Sequence, residues 1–328
     1  MSEKNKVAVY SVGGCGINIG SKLAQAHLNE EGFATPALYY VDTSDANLRR
    51  TSIQMDQVFL FEGVDGSGKV RAENHAVISK NILKILQQFQ PTQFNIIISS
   101  ASGGSGAIIA NSLAVELRKR GEQVVMLLVG TTGSHIEIDN TLKSLKSLDA
   151  LAEKINKPVV VHYLQNPTDA PRQLVDDQAI QAIVSLLALF SGQHRELDTA
   201  DLKNWLNHSR LDAQLVSLQF PTGAEQYSQA GEVITVATLA TPEMNTTLDP
   251  VPAYQTVGYV PEAWNAKSTQ VKLIGDHPVH YTISSDLIEH IASSLDQQLK
   301  ASNARLSARV RRDSLHSADE ASDDGIIL

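Results

Sequence analysis

The chain has 328 residues and a single cysteine, Cys15. No intrachain disulfide can form and no Cys-rich zinc site exists, so a reducing compartment fits. The ten histidines are scattered. His277 and His280 stand three apart, but no second His or Cys pair completes a metal site, and they read as ordinary surface or strand residues. Positive charge is in deficit, with 27 Lys+Arg against 36 Asp+Glu and a net charge of −9. That balance argues against bulk electrostatic capture of nucleic acid and against a surface held on anionic lipid by charge alone. The most apolar run, AIVSLLALF from Ala182 to Phe190, falls well short of the ~20 residues a membrane helix needs. The opening MSEKNKVAVYSV has no long apolar stretch behind its lysines, so a signal peptide is not expected. No GxxxxGK[ST] motif occurs, which removes the usual P-loop nucleotide sites.

What is present is an alternation of strands and helices. Hydrophobic residues make up 42% of the chain, enough for a sizeable core, and the length allows two domains. VAVYSV (Val7 to Val12) reads as a strand, followed by GGCG and an amphipathic helix through Leu23 and Leu28. ALYYVD (Ala37 to Asp42) is a strand ending on an acid. A Gly-rich polar loop, Glu62 to Asn74, precedes a helix with Ile78, Ile82, Ile85 and Leu86 on one face. NIIISS, VVMLLVG (Val124 to Gly130) and PVVVHYL (Pro158 to Leu164) are further strands, and a helix runs to Arg120. Strands apolar on both faces, alternating with helices, predict a parallel sheet covered on both sides. A helix from about Arg172 to Phe190 becomes apolar all round and is therefore buried. After Pro221, VITVATLA, YQTVGYV, STQVKLI and VHYTIS alternate and predict a smaller mixed or antiparallel domain. A long helix spans about Ser285 to Arg312 with Leu287, Ile291, Leu295, Leu299, Leu306 and Val310 as its apolar stripe. The expected organisation is 1–170, a Rossmann-like nucleotide domain; 171–195, a central linking helix; 196–284, a second α+β domain; 285–312, the long helix; and 313–328, an acidic tail.

Two glycine-rich turns carry the chemistry. In VGGCGINIG (Val12 to Gly20) a strand passes through glycines into a helix, which lets phosphate reach backbone N–H groups at the helix N-terminus. Gly14, Gly16 and Gly20 also mimic a dinucleotide fingerprint, with Asp42 placed as its ribose-binding acid. The competing reading of this turn alone is a plain glycine corner. The second turn lies in IIISSASGGSGAII (Ile96 to Ile109), where Ser102, Gly103, Gly104, Ser105 and Gly106 separate a strand from a helix. In a doubly wound sheet both turns open onto one crevice. Two helix N-termini aimed at one anion suit a chain of phosphates. A third element, ELDTAD (Glu196 to Asp201), holds Asp198 and Asp201 three apart. They are either helix-capping acids or a pair facing one way. The buried helix before them separates them from their own phosphate turns by some 25–30 Å at ~1.5 Å per residue.

The GG-x-G-x-N turn, the later Ser/Gly turn, the long central helix and the D-x-x-D loop together resemble the tubulin/FtsZ superfamily of GTPases, and within it the phage tubulins. The resemblance covers nearly the whole chain. It implies a GTPase domain with a doubly wound parallel sheet, a long central helix and a smaller α+β C-terminal domain. It implies GTP or GDP, with Mg2+ held through phosphates and water, as cofactors. Gly13, Gly14, Cys15, Gly16 and Asn18 correspond to the first nucleotide loop, Asn18 toward the guanine. Asp42, Thr43, Ser44, Asp45 and Asn47 correspond to the second loop, and Gly66 and Gly68 to the loop near the γ-phosphate. Ser102 to Gly106 correspond to the signature GGGTG(S/T)G, Thr131 to Asn140 to the ribose loop, and Asp176 to the central-helix position that touches the base. Asp198 and Asp201 correspond to catalytic acids that act on a neighbouring subunit's GTP. Ser102 and Ser105 depart from the signature's Gly and Thr, and Glu196 stands where FtsZ has Asn.

A head-to-tail contact of this kind does not close and builds a filament. The resemblance further implies positioning of phage DNA in the host bacterial cytoplasm, with the chain itself as main partner, a phage cargo or adaptor as a second, and no direct nucleic-acid or membrane binding. Other branches are a plasmid- or prophage-partitioning tubulin and a Rossmann-type NAD(P) oxidoreductase; the last leaves the second glycine turn and ELDTAD without a role. In the tail, Asp319, Glu320, Asp323 and Asp324 precede Ile326, Ile327 and Leu328, while Arg305, Arg309 and Arg312 lie on the preceding helix. An acidic run followed by an apolar end predicts docking on an adjacent subunit, with these arginines as receptor.

Overall fold

The computed structural model describes residues 6–49, 51–70, 74–192, 197–207, 211, 213–221, 233–239, 268–275 and 279–312, with backbone only at 239 and 305–312. In chain order the elements are β1 (Lys6–Val12), α1 (Gly13–Gln25), β2 (Thr35–Asp42), β3 (Val58–Leu60), α2 (His75–Gln88), β4 (Phe94–Ser100), α3 (Ser105–Lys119), β5 (Gln123–Thr131), α4 (His135–Ile155) and β6 (Val159–Asn166). There follow α5 (Gln173–Leu189), α6 (Thr199–Asn207), β7 (Leu215–Gln219), β8 (Val233–Leu239), α7 (Thr269–Ile274), β9 (Val279–Ser284) and α8 (Leu287–Arg312).

The strands form one sheet in the order β3-β2-β1-β4-β5-β6-β7-β9-β8. From β3 to β7 every pairing is parallel. β9 is antiparallel to both β7 and β8. The apolar runs are explained by cover on both faces. Val7, Val9, Ile96, Ile98, Val125 and Leu127 join the core beneath α1 and α5. Ala8, Tyr10, Ile97, Val124, Met126 and Leu128 join the core beneath α2, α3 and α4. α5 is buried over its second half, from Ala182 to Leu189, and Phe190 stacks on Phe94 with ring centroids 4.3 Å apart.

Several expectations are corrected. The segment STQVKLI is helical, not a strand. Ser268 caps α7 by accepting a hydrogen bond from the Val271 N–H. The Glu30 carboxylate takes the Thr269 and Gln270 N–H groups at 2.9 and 3.1 Å and the Ser268 hydroxyl. Val271 and Ile274, three apart, bury one helical face. The later strands are antiparallel to one another, but they extend the first sheet rather than build a second. The segment 131–140 is a loop only to Ser134, because Ser134 caps α4 and helix begins at His135. α4 is absent from the sequence reading although Ile138, Leu142, Leu145, Leu148 and Ala152 follow helical spacing and are buried; β3 and β7 are likewise additional. α1 stops at Gln25, short of Leu28, and α8 begins at Leu287 rather than Ser285. His280 is buried inside β9. YQTVGYV, His277, Glu196 and the tail residues Asp319, Glu320, Asp323, Asp324, Ile326, Ile327 and Leu328 lie outside the described residues, as do the side chains of Arg305, Arg309, Arg312, Leu306 and Val310.

Candidate functional site

β1 and β4 are neighbours, with Ser11 opposite Ile98, so the turns that follow them leave the sheet at one edge. Gly13 opens α1 with φ of +68°, and a Cβ there would lie 3.2 Å from the Gly106 Cα. The two glycine turns therefore meet backbone to backbone. A Cβ on Gly16 would run into the Ile98 carbonyl oxygen, so this glycine seats α1 on β4.

Above the turns is a cavity of about 620 Å³. Of the residues expected at the site, Gly14, Cys15, Asn18, Asn47, Ser102, Gly103, Thr131 and Asp176 line it. Glu137, within the expected 131–140 segment, lines it too, and Lys69, Ser100, Asn166, Arg172 and Val175 line it as well and were not anticipated. At one end, the Asp176 carboxylate accepts from Asn18 Nδ2 at 2.8 Å and pairs with Lys22 at 2.6 Å. Asn18 and Lys22 are one turn apart on α1, a spacing that could have pointed to Lys22. The Cys15 thiol, half-buried at the cavity wall, has its pKa pushed up to about 12, first by desolvation and then by the Asp176 carboxylate. It stays protonated and packs as an apolar group.

Asp42 does not line the cavity. It is buried, and its carboxylate accepts from the Thr43 N–H at 2.7 Å, the Ser44 N–H at 3.4 Å and Asn47 Nδ2 at 2.7 Å. Burial raises its pKa, with the bonds from Asn47 and the backbone opposing. Its work here is to shape the 42–47 loop so that Asn47 faces the cavity. Asp45 pairs with Arg49 at 2.7 Å on the surface. Gly66 and Gly68 flank Ser67, whose hydroxyl accepts from the Ser105 N–H at 3.1 Å. Asn74 Nδ2 donates to Ser105 Oγ at 3.1 Å and to the Asp65 carbonyl at 2.9 Å. Asn140, in the second turn of α4, donates to the Lys69 carbonyl at 3.0 Å and the Ser102 carbonyl at 3.3 Å. These amides tie the 65–70 loop and the Ser/Gly turn together at the other end of the cavity.

Asp198 and Asp201 begin α6 and form a reciprocal cap. Asp198 Oδ1 accepts from the Ala200 and Asp201 N–H groups at 2.7 and 2.9 Å, and Asp201 Oδ2 accepts from the Asp198 N–H at 3.0 Å. These bonds use one oxygen of each carboxylate, and Asp198 is exposed. The pair lies beyond the C-terminal end of α5, whereas Asp176 lies in its first turn. Among the described residues, no group of three or more His, Cys, Asp or Glu gathers as a metal site, and no helix is long and apolar enough to cross a membrane.

A glycine-turned edge of a doubly wound sheet, a polar cavity above it and a central helix leading away define a nucleotide-binding class. Residues 6–166 match the Tubulin/FtsZ family, GTPase domain, and this part of the chain is a GTPase domain of that family, which binds guanine nucleotide. The nicotinamide reading is thereby removed. Over its whole length the chain is similar to a phage tubulin-like protein of Pseudomonas phage PhiPA3, 28% identical over 330 residues, covering 99% of each chain. Among solved structures it resembles the phage tubulin PhuZ with GDP, at TM-score 0.77 and 22% identity over 98% of this chain and 99% of that one. It also resembles the protofilament of TubZ from bacteriophage PhiKZ, at TM-score 0.75 and 24% identity with the same coverage.

Proposed function

We propose that the protein is a polymerising GTPase whose site is completed by the next subunit of a head-to-tail filament. The observation that carries this is the placement of Asp198 and Asp201. α5 ends at Leu189, 13 residues beyond Asp176 or about 20 Å at ~1.5 Å per residue, and these acids lie past that end, away from the cavity end held by Asp176. A subunit cannot bring them to its own nucleotide, but a stacked neighbour can. In this reading Asn18 and Asp176 read the guanine, and the turns at Gly13–Gly16 and Ser102–Gly106 receive the phosphates on N–H groups other than that of Ser105, which the Ser67 hydroxyl holds. Thr131 and Asn47 line the space between. One acid of the incoming subunit orients or deprotonates the attacking water while the other orders the solvent around the phosphates. The hydroxyl and amide oxygens around the cavity are hard donors that suit Mg2+, which binds chiefly through phosphates and water and would neutralise charge on the leaving phosphates.

The phage relatives and the protofilament structure support self-assembly here; positioning of phage DNA within the host cytoplasm is the role we propose for such a filament. A tail docking through Asp319, Glu320, Asp323, Asp324 and the terminal Ile326, Ile327 and Leu328 onto Arg305, Arg309 and Arg312 of a neighbour belongs to the same proposal. The test uses two variants. Asp201→Ala and Gly104→Asp should each lack GTP turnover alone, the first while still binding GTP. Mixed, they should regain turnover, because a Gly104→Asp subunit brings an intact Asp201 to the intact turn of an Asp201→Ala subunit. No recovery at any ratio in co-assembled mixtures would sink catalysis across the contact.

A further inference from the structure

Among the described residues, two cations line the cavity, Lys69 and Arg172. Arg172 immediately precedes α5, one turn before Asp176, and its charge reaches both Cys15 and Glu137. Lys69 lies against the Ser/Gly turn. Its backbone is held there against preference. Lys69 has φ of +69°, a left-handed conformation that non-glycine residues seldom adopt. The Val70 N–H closes a turn onto the Ser67 carbonyl at 2.8 Å, and Asn140 holds the Lys69 carbonyl while also bonding the Ser102 carbonyl. A Cβ on Gly104 would lie only 3.2 Å from the Lys69 Cα. The residue is thus laid directly against the N-terminus of α3, whose first N–H is taken by the Ser67 hydroxyl.

The side chain is held much more loosely than its backbone. Lys69 Nζ pairs with Glu137 Oε1 at 2.7 Å, and the lysine side chain is 52% exposed while the glutamate is 14% exposed. Exposed pairs of this kind are held weakly. Glu137 has a second partner, the Ser134 hydroxyl at 3.0 Å, so it is not stranded when the lysine leaves. A terminal phosphate carries more negative charge than one carboxylate and offers several oxygens for charge-assisted hydrogen bonds, and lysine delivers a compact charge on a flexible stem.

We propose that Lys69 distinguishes triphosphate from diphosphate, exchanging its ion pair with Glu137 for a contact with the terminal phosphate. This rests on the nucleotide occupying the cavity as proposed above, with its phosphates over the Ser/Gly turn. Lys69 is then a specificity-determining residue, and Glu137 is its holder when no terminal phosphate is present.

The experiment is calorimetric titration of the full chain, below its assembly concentration, with GDP and with a non-hydrolysable GTP analogue. Lys69→Met keeps the stem and removes the charge. It should weaken the triphosphate roughly tenfold or more, as expected for loss of a charged hydrogen bond, and leave GDP within about twofold. Lys69→Arg should recover much of the triphosphate affinity. Glu137→Gln releases the lysine and should strengthen the triphosphate several-fold, a change of opposite sign that damage to the loop would not produce. Equal weakening of both nucleotides by Lys69→Met, or weaker triphosphate binding in Glu137→Gln, would overturn the inference while leaving the nucleotide site intact. Wild-type protein that binds neither nucleotide would overturn the functional reading and this inference together.

Discussion

β1 to β6 and the three strands that follow share a sheet but differ in how their residues divide between its faces. In the first group, successive residues are apolar because helices cover both sides: Val9 belongs to one core and Tyr10 to the other. In β9, Val279, Tyr281 and Ile283 enter the core under α5, and between them stand His280, Thr282 and Ser284. Alternation of this kind usually marks a half-solvated strand, yet these three polar residues are also buried. Two of them have polar partners, since His280 Nδ1 lies 2.6 Å from Thr238 Oγ1 and Thr282 Oγ1 donates to the Gln219 carbonyl at 3.2 Å, while the Ser284 hydroxyl is buried without a hydrogen-bond partner among the described residues. The period of a strand reports what each face is made of, not whether that face meets water. α5 joins the two groups, with Phe190 stacked on Phe94 and the Tyr281 hydroxyl donating to the Ser185 carbonyl at 2.6 Å.

If the two groups are one cooperative unit, damage to the first must be felt in the second. Phe94→Ala removes a buried ring from the stack on Phe190, a loss of about 3–5 kcal/mol. Trp205 is buried in α6 and donates to the Ile234 carbonyl of β8 at 3.3 Å, so its fluorescence reports the later strands. In a Trp264→Phe background, urea unfolding followed by Trp205 emission and by far-ultraviolet circular dichroism should shift together in Phe94→Ala. A Trp205 transition left at the wild-type midpoint would show that the later strands stand on their own.

The difference between the groups also decides what could be read from the sequence. The first sheet was legible because continuous apolar strands, glycine turns and amphipathic helices agree with one another. At the site, Asn18, Ser102 and Asp176 were found because glycine turns and an acid on a central helix carry their own chemistry. Lys69 was not, since it sits in an unpatterned loop, and Glu137 fell within the expected 131–140 segment but its place on a helix, α4, was hidden by the loop assignment. Asp42 was placed near the nucleotide by its position at a strand end, but its carboxylate is spent on its own loop. α7 was misread because VKLI suits a strand by composition. Its helix is set by the Ser268 cap and by Glu30, which is more than two hundred residues away in sequence and invisible to any local pattern.

That contact gives the second test. Burial alone would raise the Glu30 pKa, but hydrogen bonds from Ser268, Gln270 and Thr269 hold it below the usual carboxylate value. A depressed folded-state pKa contributes stability above the unfolded value, near 4.3, and that contribution is lost as pH falls through the folded value. Glu30→Ala should cost about 1 kcal/mol at neutral pH, the size of a charged hydrogen bond discounted for solvent. The gap to wild type should close as pH drops below about 4. An unchanged gap in acid would mean that the carboxylate charge is not what holds α7 to the first half.

The smallest effect is expected where β6 meets β7, the boundary between the two groups. His162 on β6 has Nδ1 2.9 Å from the Leu218 carbonyl on β7. A carbonyl only accepts, so Nδ1 carries the proton. The ring stands edge-on to Phe220 with centroids 5.0 Å apart. Burial lowers its pKa, with the bond to Leu218 pulling the other way, although a cleft of about 230 Å³ reaches the ring. With the folded pKa below the unfolded value of about 6.5, the unfolded chain takes up the proton first. Stability credited to a neutral His162 is therefore full above that value and declines as pH falls below it. His162→Gln keeps a donor for Leu218 but cannot titrate. It should be less stable than wild type at pH 8, and the difference should narrow on going to pH 6 by at most about 1 kcal/mol, read as the change in unfolding midpoint. A difference that stays constant from pH 8 to 6 would mean that the folded protein protonates His162 as readily as water does. The cleft would then admit solvent to the boundary, and β7, β9 and β8 would be joined to the parallel strands by a wetter contact than the cores on either side of it.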